Sequence, residues 1–262
     1  MIIKKKKLEE NIIKLTVITA IFGDYDILHE QLDMPNVRYI CITDNPNIEA
    51  YNWEIIVDNE LTNKNWSPRK KAYYVRYNID KYIKNSKYGL WLDASTFLSE
   101  EIFEYIFNII NKGYDFWGLN YLNIDSFLYN GWLKDINVDK PESTNYLDYL
   151  EILNYCNNKL SNINKNDVLI FMGFIKLFNL YNSKLIKILN KSFNDVCLDK
   201  NFNDIILYDE PIFSINLYLN NMNSFKIHID KRVNDYLLRP YKYEIKKFLH
   251  KSENLWPFKI CW

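Results

Sequence analysis

The first 120 residues alternate short, almost continuously apolar segments with amphipathic helical ones, and this pattern narrows the choice of folds more than any other property of the chain. Leu15, Val17, Ile18, Ala20 and Ile21, with Thr16 and Thr19 between them, read as a strand buried on both faces. Gly23 and Asp24 break it. Residues 38–43 form a second strand, stopped by Asp44, Asn45 and Pro46, and residues 53–57 a third. Ser67 followed by Pro68 opens a helix, a hydroxyl cap before a proline at the first helical position, and the helix runs to about Lys84. A fourth strand at 89–92 ends at Asp93, a helix covers 99–111, and a fifth strand spans 115–119. Strands that take turns with helices imply an α/β fold with a mostly parallel central sheet flanked by helices.

The second half is less regular. Residues 121–144 read as a long loop, 145–160 as a helix, 169–178 as a strand containing Gly173, 183–193 and 210–221 as helices, and 225–229 as a strand. No repeat and no linker divides the 262 residues, so one domain is expected. With 48% hydrophobic residues the chain can bury a sizeable core. The 21 Tyr and 7 Trp suit either that core or surfaces that bind planar and polyhydroxyl ligands.

Charge and cysteine usage limit the partners. The 33 basic and 33 acidic residues cancel, whereas a dedicated nucleic-acid-binding domain carries a basic excess, so nucleic acid is not expected as a partner. Cys41, Cys156, Cys197 and Cys261 are far apart and form no CxxC pair, which reads as reduced thiols in a cytoplasmic protein. The three histidines are scattered, against a His/Cys zinc site. The apolar stretch at 15–22 is too short to span a membrane, and Glu9, Glu10 and Lys14 interrupt any signal-peptide pattern after the lysine run at 4–7.

In an open α/β sheet, ligands bind beyond the carboxyl ends of the strands. Thr19, Ala20 and Gly23 stand there after the first strand, Asp44 after the second, and Asp93 with Ser95 after the fourth. Two acids beside a small-residue turn suit a nucleotide and a divalent cation. Asp44 can equally be a turn former, whereas Asp93 follows Leu90, Trp91 and Leu92 directly and needs a partner to offset its desolvation. Arg69 and Arg76 share one stripe of the helix with Ala72, Ile79 and Ile83, a costly place for arginine unless an anion answers it. Arg69 lies in the first turn, where backbone N–H groups also favour anions. Asp209 and Glu210 before Pro211 read as a helix start, or as a carboxylate pair serving as base or acceptor anchor. His228, on the last strand, is a candidate to complete a metal shell.

Several of these stretches together resemble a known family. Thr19-Ala20-Ile21-Phe22-Gly23-Asp24-Tyr25-Asp26 resembles the T-A-I-F-G-x-Y-D opening of a group of bacterial and plant glycosyltransferase-domain proteins of GT-A type. Ile42-Thr43-Asp44-Asn45-Pro46 resembles its F-T-D-x-P segment, Arg69-Lys70-Lys71 its basic helix start, and Trp91-Leu92-Asp93-Ala94-Ser95 its W-[IL]-D-A-[NS] motif. Asp209-Glu210-Pro211-Ile212-Phe213 is similar, more loosely, to its D-Q-x-x-F segment. The good match covers residues 15–100.

The resemblance implies a GT-A-like fold and transfer of a sugar from a nucleotide-sugar, UDP-linked by expectation, with Mn²⁺ or Mg²⁺. It implies a nucleotide-binding half at 14–120 and an acceptor-binding half at 121–238, between a flexible start at 1–13 and a basic, aromatic tail at 239–262. The donor contacts expected are Thr19, Ala20, Phe22, Tyr25, Asp44, Arg69, Asp93, Ala94 and Ser95; the metal ligands are Asp93, Ser95 and His228. Asp93 takes the first place of the D-x-D pattern, but its third place is Ser95. Trp117, Tyr121 and Trp132 are expected to stack on the sugars of a glycan or lipid-linked glycan acceptor, and Asp209 or Glu210 to act as catalytic base. The tail is a candidate for peripheral contact with the inner membrane face. Two other readings stay open: a nucleotidyltransferase, against which the lack of a second acid at position 95 and of a glycine-rich phosphate loop speaks, and a non-catalytic sugar- or nucleotide-binding module, which Ser95 keeps open.

Overall fold

The computed structural model describes residues 13–23, 26–127, 144–197, 209–220 and 226–230. Seven strands form one sheet: β1 (Leu15–Ile21), β2 (Val37–Thr43), β3 (Glu54–Val57), β4 (Tyr88–Leu92), β5 (Phe116–Asn123), β6 (Leu169–Asn179) and β7 (Ile227–Asp230). The helices are α1 (Asn59–Thr62), α2 (Pro68–Tyr77), α3 (Ile79–Tyr82), α4 (Glu100–Asn111), α5 (Ile124–Ser126), α6 (Thr144–Lys159), α7 (Ser183–Cys197) and α8 (Glu210–Leu219). The sheet order is β3-β2-β1-β4-β6-β5-β7. Four of its six pairings are parallel, and only the two made by β6 are antiparallel. The expected α/β class with a mostly parallel sheet is what the chain adopts. No helix among the described residues is long and apolar enough to cross a membrane.

Helices cover both faces, which is why the inner strands are apolar almost throughout. On one face α2, α3, α6, α7 and α8 pack over Ile18, Ile40, Trp91, Phe116 and Phe178. On the other, Ile102, Phe103, Ile106 and Ile109 of α4 pack over Val17, Leu90, Leu92 and Leu177. The Ser67 hydroxyl caps α2 by accepting from Lys70 N (3.2 Å). The helix expected to reach Lys84 instead breaks at Asn78, whose φ of −120° and ψ of 35° leave the helical region. The Asn78 side-chain amide donates to the Tyr74 carbonyl (2.9 Å), supplying a local partner at the break.

Strand β6 gives the sheet its asymmetry. It is inserted between β4 and β5 with reversed direction, so its amino-terminal half reaches the edge where β1, β2 and β4 end. Its pairing with β5 slips twice, between Gly118 and Asn120 and between Asn120 and Leu122. Consecutive Phe174 and Ile175 both pack on the α4 side, an irregularity that lets Lys176 and Phe178 face α8.

Candidate active site

Six segments meet at the carboxyl edge of the sheet: the ends of β1, β2 and β4, helix α2, strand β6 and the start of α8. The β1 loop turns at Gly23, whose φ is +64°. Its N–H donates to both carboxylate oxygens of Asp44 (3.0 and 3.2 Å), tying the ends of β1 and β2 together. A Cβ at Gly23 would lie 2.8 Å from Pro68 Cγ, so the start of α2 closes on the same turn. Asp44 therefore shapes the loop and leaves lone pairs of its half-buried carboxylate for a ligand.

The second cluster centres on Arg76 of α2, which is buried with its guanidinium carbon over the rings of Trp91 (4.7 Å to centroid) and Tyr73 (5.1 Å). Its Nη1 donates to both oxygens of Asp209 (3.0 and 2.9 Å) and its Nη2 to Asp93 Oδ1 (3.0 Å). Asp93 Oδ1 also accepts from Trp91 Nε1 (2.7 Å). The Asp93 backbone is fixed as well, by N–H donation to the Phe174 carbonyl (2.9 Å). Its side chain remains 36% exposed, and Oδ2 takes no hydrogen bond among the described residues. The strand-tip acid is thus held by one oxygen and open by the other.

Asp209 is only 1% exposed and also accepts from the Tyr77 hydroxyl. Burial pushes its carboxyl up, but Arg76, Lys176 and the Tyr77 hydrogen bond outweigh this and hold it below the ordinary carboxylate range. Enclosed and engaged on both oxygens, Asp209 anchors Arg76; it is not placed to take a proton from an acceptor. Glu210, one residue on, differs. It keeps solvent contact, and burial together with the Asp209 charge raises it to about 7, with Lys176 and Arg76 opposing. Room for it comes from Gly173, where a Cβ would stand 2.5 Å from Glu210 Oε1 and 3.2 Å from Arg76 Nη1.

Lys176 completes the cluster. It is 0% exposed on β6, directly opposite Trp91, with its Nζ 4.9 Å from the Phe213 ring centroid. Its ammonium has no hydrogen-bond partner among the described residues. Burial lowers its proton affinity, and Asp209 opposes that effect first. Sequence reading missed Lys176 and the role of Gly173. The available signal was a lysine inside an apolar strand run, Phe174-Ile175-Lys176-Leu177-Phe178.

Other expectations fare unevenly. Ala20 and Ser95 are half-buried at the edge. Arg69, in the first turn of α2, is half-buried and in no ion pair among the described residues. Thr19, Phe22 and Ala94 are buried in the interior, so their side chains line the core and not a ligand surface. Trp117 corrects a further expectation: it is 2% exposed and packs edge-on against Tyr105 of α4, so it offers no face to a sugar. Tyr25 and Trp132 lie outside the described residues, as does the side chain of Tyr121.

His228 is also corrected. It sits on edge strand β7, three strands and roughly 14 Å from β4, with its Nε2 hydrogen-bonded to the Tyr105 hydroxyl (2.7 Å). Among the described residues no three His, Cys, Asp or Glu side chains gather as a metal shell. Asp93 supplies one open oxygen and Ser95 a hydroxyl, and the neighbouring Arg76 already neutralises the acids. These residues do not fit a divalent cation.

No family model matches the chain, and no curated protein matches it. Solved structures similar to it include the bifunctional glycosyltransferase WbbM in its apo form, at 11% identity and a TM-score of 0.47, over 85% of this chain and 39% of that one. Mouse xyloside xylosyltransferase 1, apo form, is 10% identical with a TM-score of 0.44, over 83% and 84% of the two chains. The 4-diphosphocytidyl-2C-methyl-D-erythritol synthase of Anaerococcus prevotii is 12% identical with a TM-score of 0.42, over 83% and 86%. The chain spans less than half the length of the first of these and most of the other two.

Proposed function

We propose that this chain is a glycosyltransferase that moves a sugar from a nucleotide-sugar, UDP-linked by preference, to a hydroxyl of a glycan or lipid-linked glycan. One observation carries the reading. The segments that resemble the glycosyltransferase-domain family are scattered over nearly 200 residues, yet they meet at one sheet edge. Gly23, Asp44 and Pro68 close one side of it, and Arg76, Asp93, Asp209 and Glu210 form the other.

In this reading the nucleoside lies along the Ala20–Gly23 turn beside Asp44, and Arg69 with the first turn of α2 faces the diphosphate. Asp93 Oδ2 accepts from a ribose or donor-sugar hydroxyl, with Arg76 and Trp91 fixing its orientation. Glu210 takes the proton of the acceptor hydroxyl as the new C–O bond forms. The bond from the anomeric carbon to the diphosphate breaks, and its electron pair leaves on the nucleoside diphosphate. A carboxyl that titrates at about 7 is ionised in an increasing share of molecules above neutrality, which suits a base.

The test is a panel of nucleotide-sugars assayed for hydrolysis and transfer with the wild type and Asp93→Ala. The expected outcome is turnover of at least one UDP-sugar, reduced on the order of 100-fold in the variant. Undiminished turnover by Asp93→Ala overturns the site. Nucleotidyl transfer from a nucleoside triphosphate to a sugar phosphate, with no nucleotide-sugar turned over, overturns the reaction class.

A further inference from the structure

Lys176 is an expensive residue. A lysine inside a central strand, fully enclosed and without a hydrogen-bond partner among the described residues, loses its hydration and receives no direct replacement. An apolar side chain there would pack against Phe213 and Trp91 without that cost. Its charge supports Asp209, but Arg76 and Tyr77 already engage that carboxylate directly, so this support is only part of the reason for a lysine here.

The surroundings supply the rest. Lys176 faces the same side of the sheet as Gly173, across the Phe174–Ile175 irregularity, and the Glu210 carboxylate fills the space that Gly173 leaves by lacking a Cβ. Among the described residues, the charged and titratable groups around Glu210 come from four elements. Arg76, Tyr73 and Tyr77 come from α2, Asp93 from the tip of β4, Asp209 from the start of α8, and Lys176 from β6. Arg76 is committed to Asp209 and Asp93 by direct hydrogen bonds. Lys176 is the cation that none of these acids ties down.

We propose that Lys176 is a positioning residue for Glu210: its buried ammonium supplies, through space, positive charge that keeps the Glu210 carboxyl able to ionise beside Asp209. The carboxylate so maintained presents a base to an acceptor hydroxyl. This extends the role given to Glu210 under the glycosyltransferase reading.

The experiment separates the two claims. Protein carrying ¹³C at glutamate carboxyl carbons is titrated by NMR without any donor, with Glu210→Gln assigning the signal. In Lys176→Met, and independently in Lys176→Gln, the midpoint of Glu210 is expected to rise by about one pH unit or more. Lys176→Arg is expected to restore it most of the way. Thermal unfolding establishes that each variant is folded under the conditions in which its midpoint is read, and the rescue by Lys176→Arg separates the charge from a change in packing. An unmoved Glu210 midpoint in both variants overturns the proposal, whatever the activity. A moved midpoint in a protein that turns over no nucleotide-sugar leaves the Lys176–Glu210 pair standing and removes the transferase reading.

Discussion

Replacing Arg76 by Met keeps the apolar stem and removes the guanidinium, whose carbon lies over the Trp91 and Tyr73 rings. Asp209 then loses two hydrogen bonds of 3.0 and 2.9 Å, and Asp93 loses one of 3.0 Å. Asp93 retains the Trp91 indole and solvent, so its share of the cost is small. Asp209, 1% exposed, retains among the described residues the Tyr77 hydroxyl and the more distant charge of Lys176. Leaving a buried charge without its partner costs about 3–5 kcal/mol, and the two surviving interactions place this case near the lower end, about 3 kcal/mol. At roughly 2–4 °C per kcal/mol the melting temperature falls by roughly 6–12 °C. Urea unfolding followed by circular dichroism measures the loss directly. The sign of the pH dependence follows from Asp209. In the wild type its pKa is depressed, so its contribution is present above its ordinary value of 3.8 and is lost as pH falls through the lower folded value. In Arg76→Met the main cation is gone and the carboxyl rises, so the deficit against the wild type grows as pH rises from about 4 to about 7. Adding Asp209→Asn should recover part of the loss, because the orphaned charge is then removed. A deficit under about 1 kcal/mol at neutral pH, or one independent of pH, refutes Arg76 as the partner that holds Asp209.

Two further outcomes follow from the same edge. Gly173→Ala places a methyl group 2.5 Å from Glu210 Oε1, so it should displace the carboxylate and lower turnover at least tenfold, with a smaller effect on the urea midpoint than Arg76→Met; wild-type turnover in this variant removes Glu210 from the mechanism. Ser95→Asp adds a second carboxylate two residues from Asp93 and should raise Mn²⁺ affinity at least tenfold over the wild type, read from loss of the free-ion signal in electron paramagnetic resonance; equal affinity in the two proteins contradicts the assignment of these two positions to one site.

The elements were readable because burial on both faces leaves a local trace. Strands β1 and β4 are runs of apolar and β-branched residues, and α2 begins with a hydroxyl cap and a proline. The acids at strand tips were readable for the same reason: Asp44 and Asp93 end apolar runs, and an α/β sheet presents such positions at one edge. The break of the helix at Asn78 was not, since the apolar stripe continues through Ile79 and Ile83 and only the local backbone shows the interruption.

The amino-acid sequence on its own settled the α/β class, the positions of most strands and helices, and which residues stand where the strands end, because each of these depends on neighbours within a turn or two. Tertiary packing decided which of those residues meet. Arg76 and Asp209 are 133 positions apart, and no periodicity links them. The reversed insertion of β6 brings Gly173 and Lys176 to the same cluster, while Trp117 and His228 are carried to the α4 side and the far edge. A strand's pattern specifies which of its faces are covered, not which strand lies beside it or which charge answers across the sheet. Those choices depend on long-range burial, and the enclosure of the Lys176 ammonium within this cluster exists only because of them.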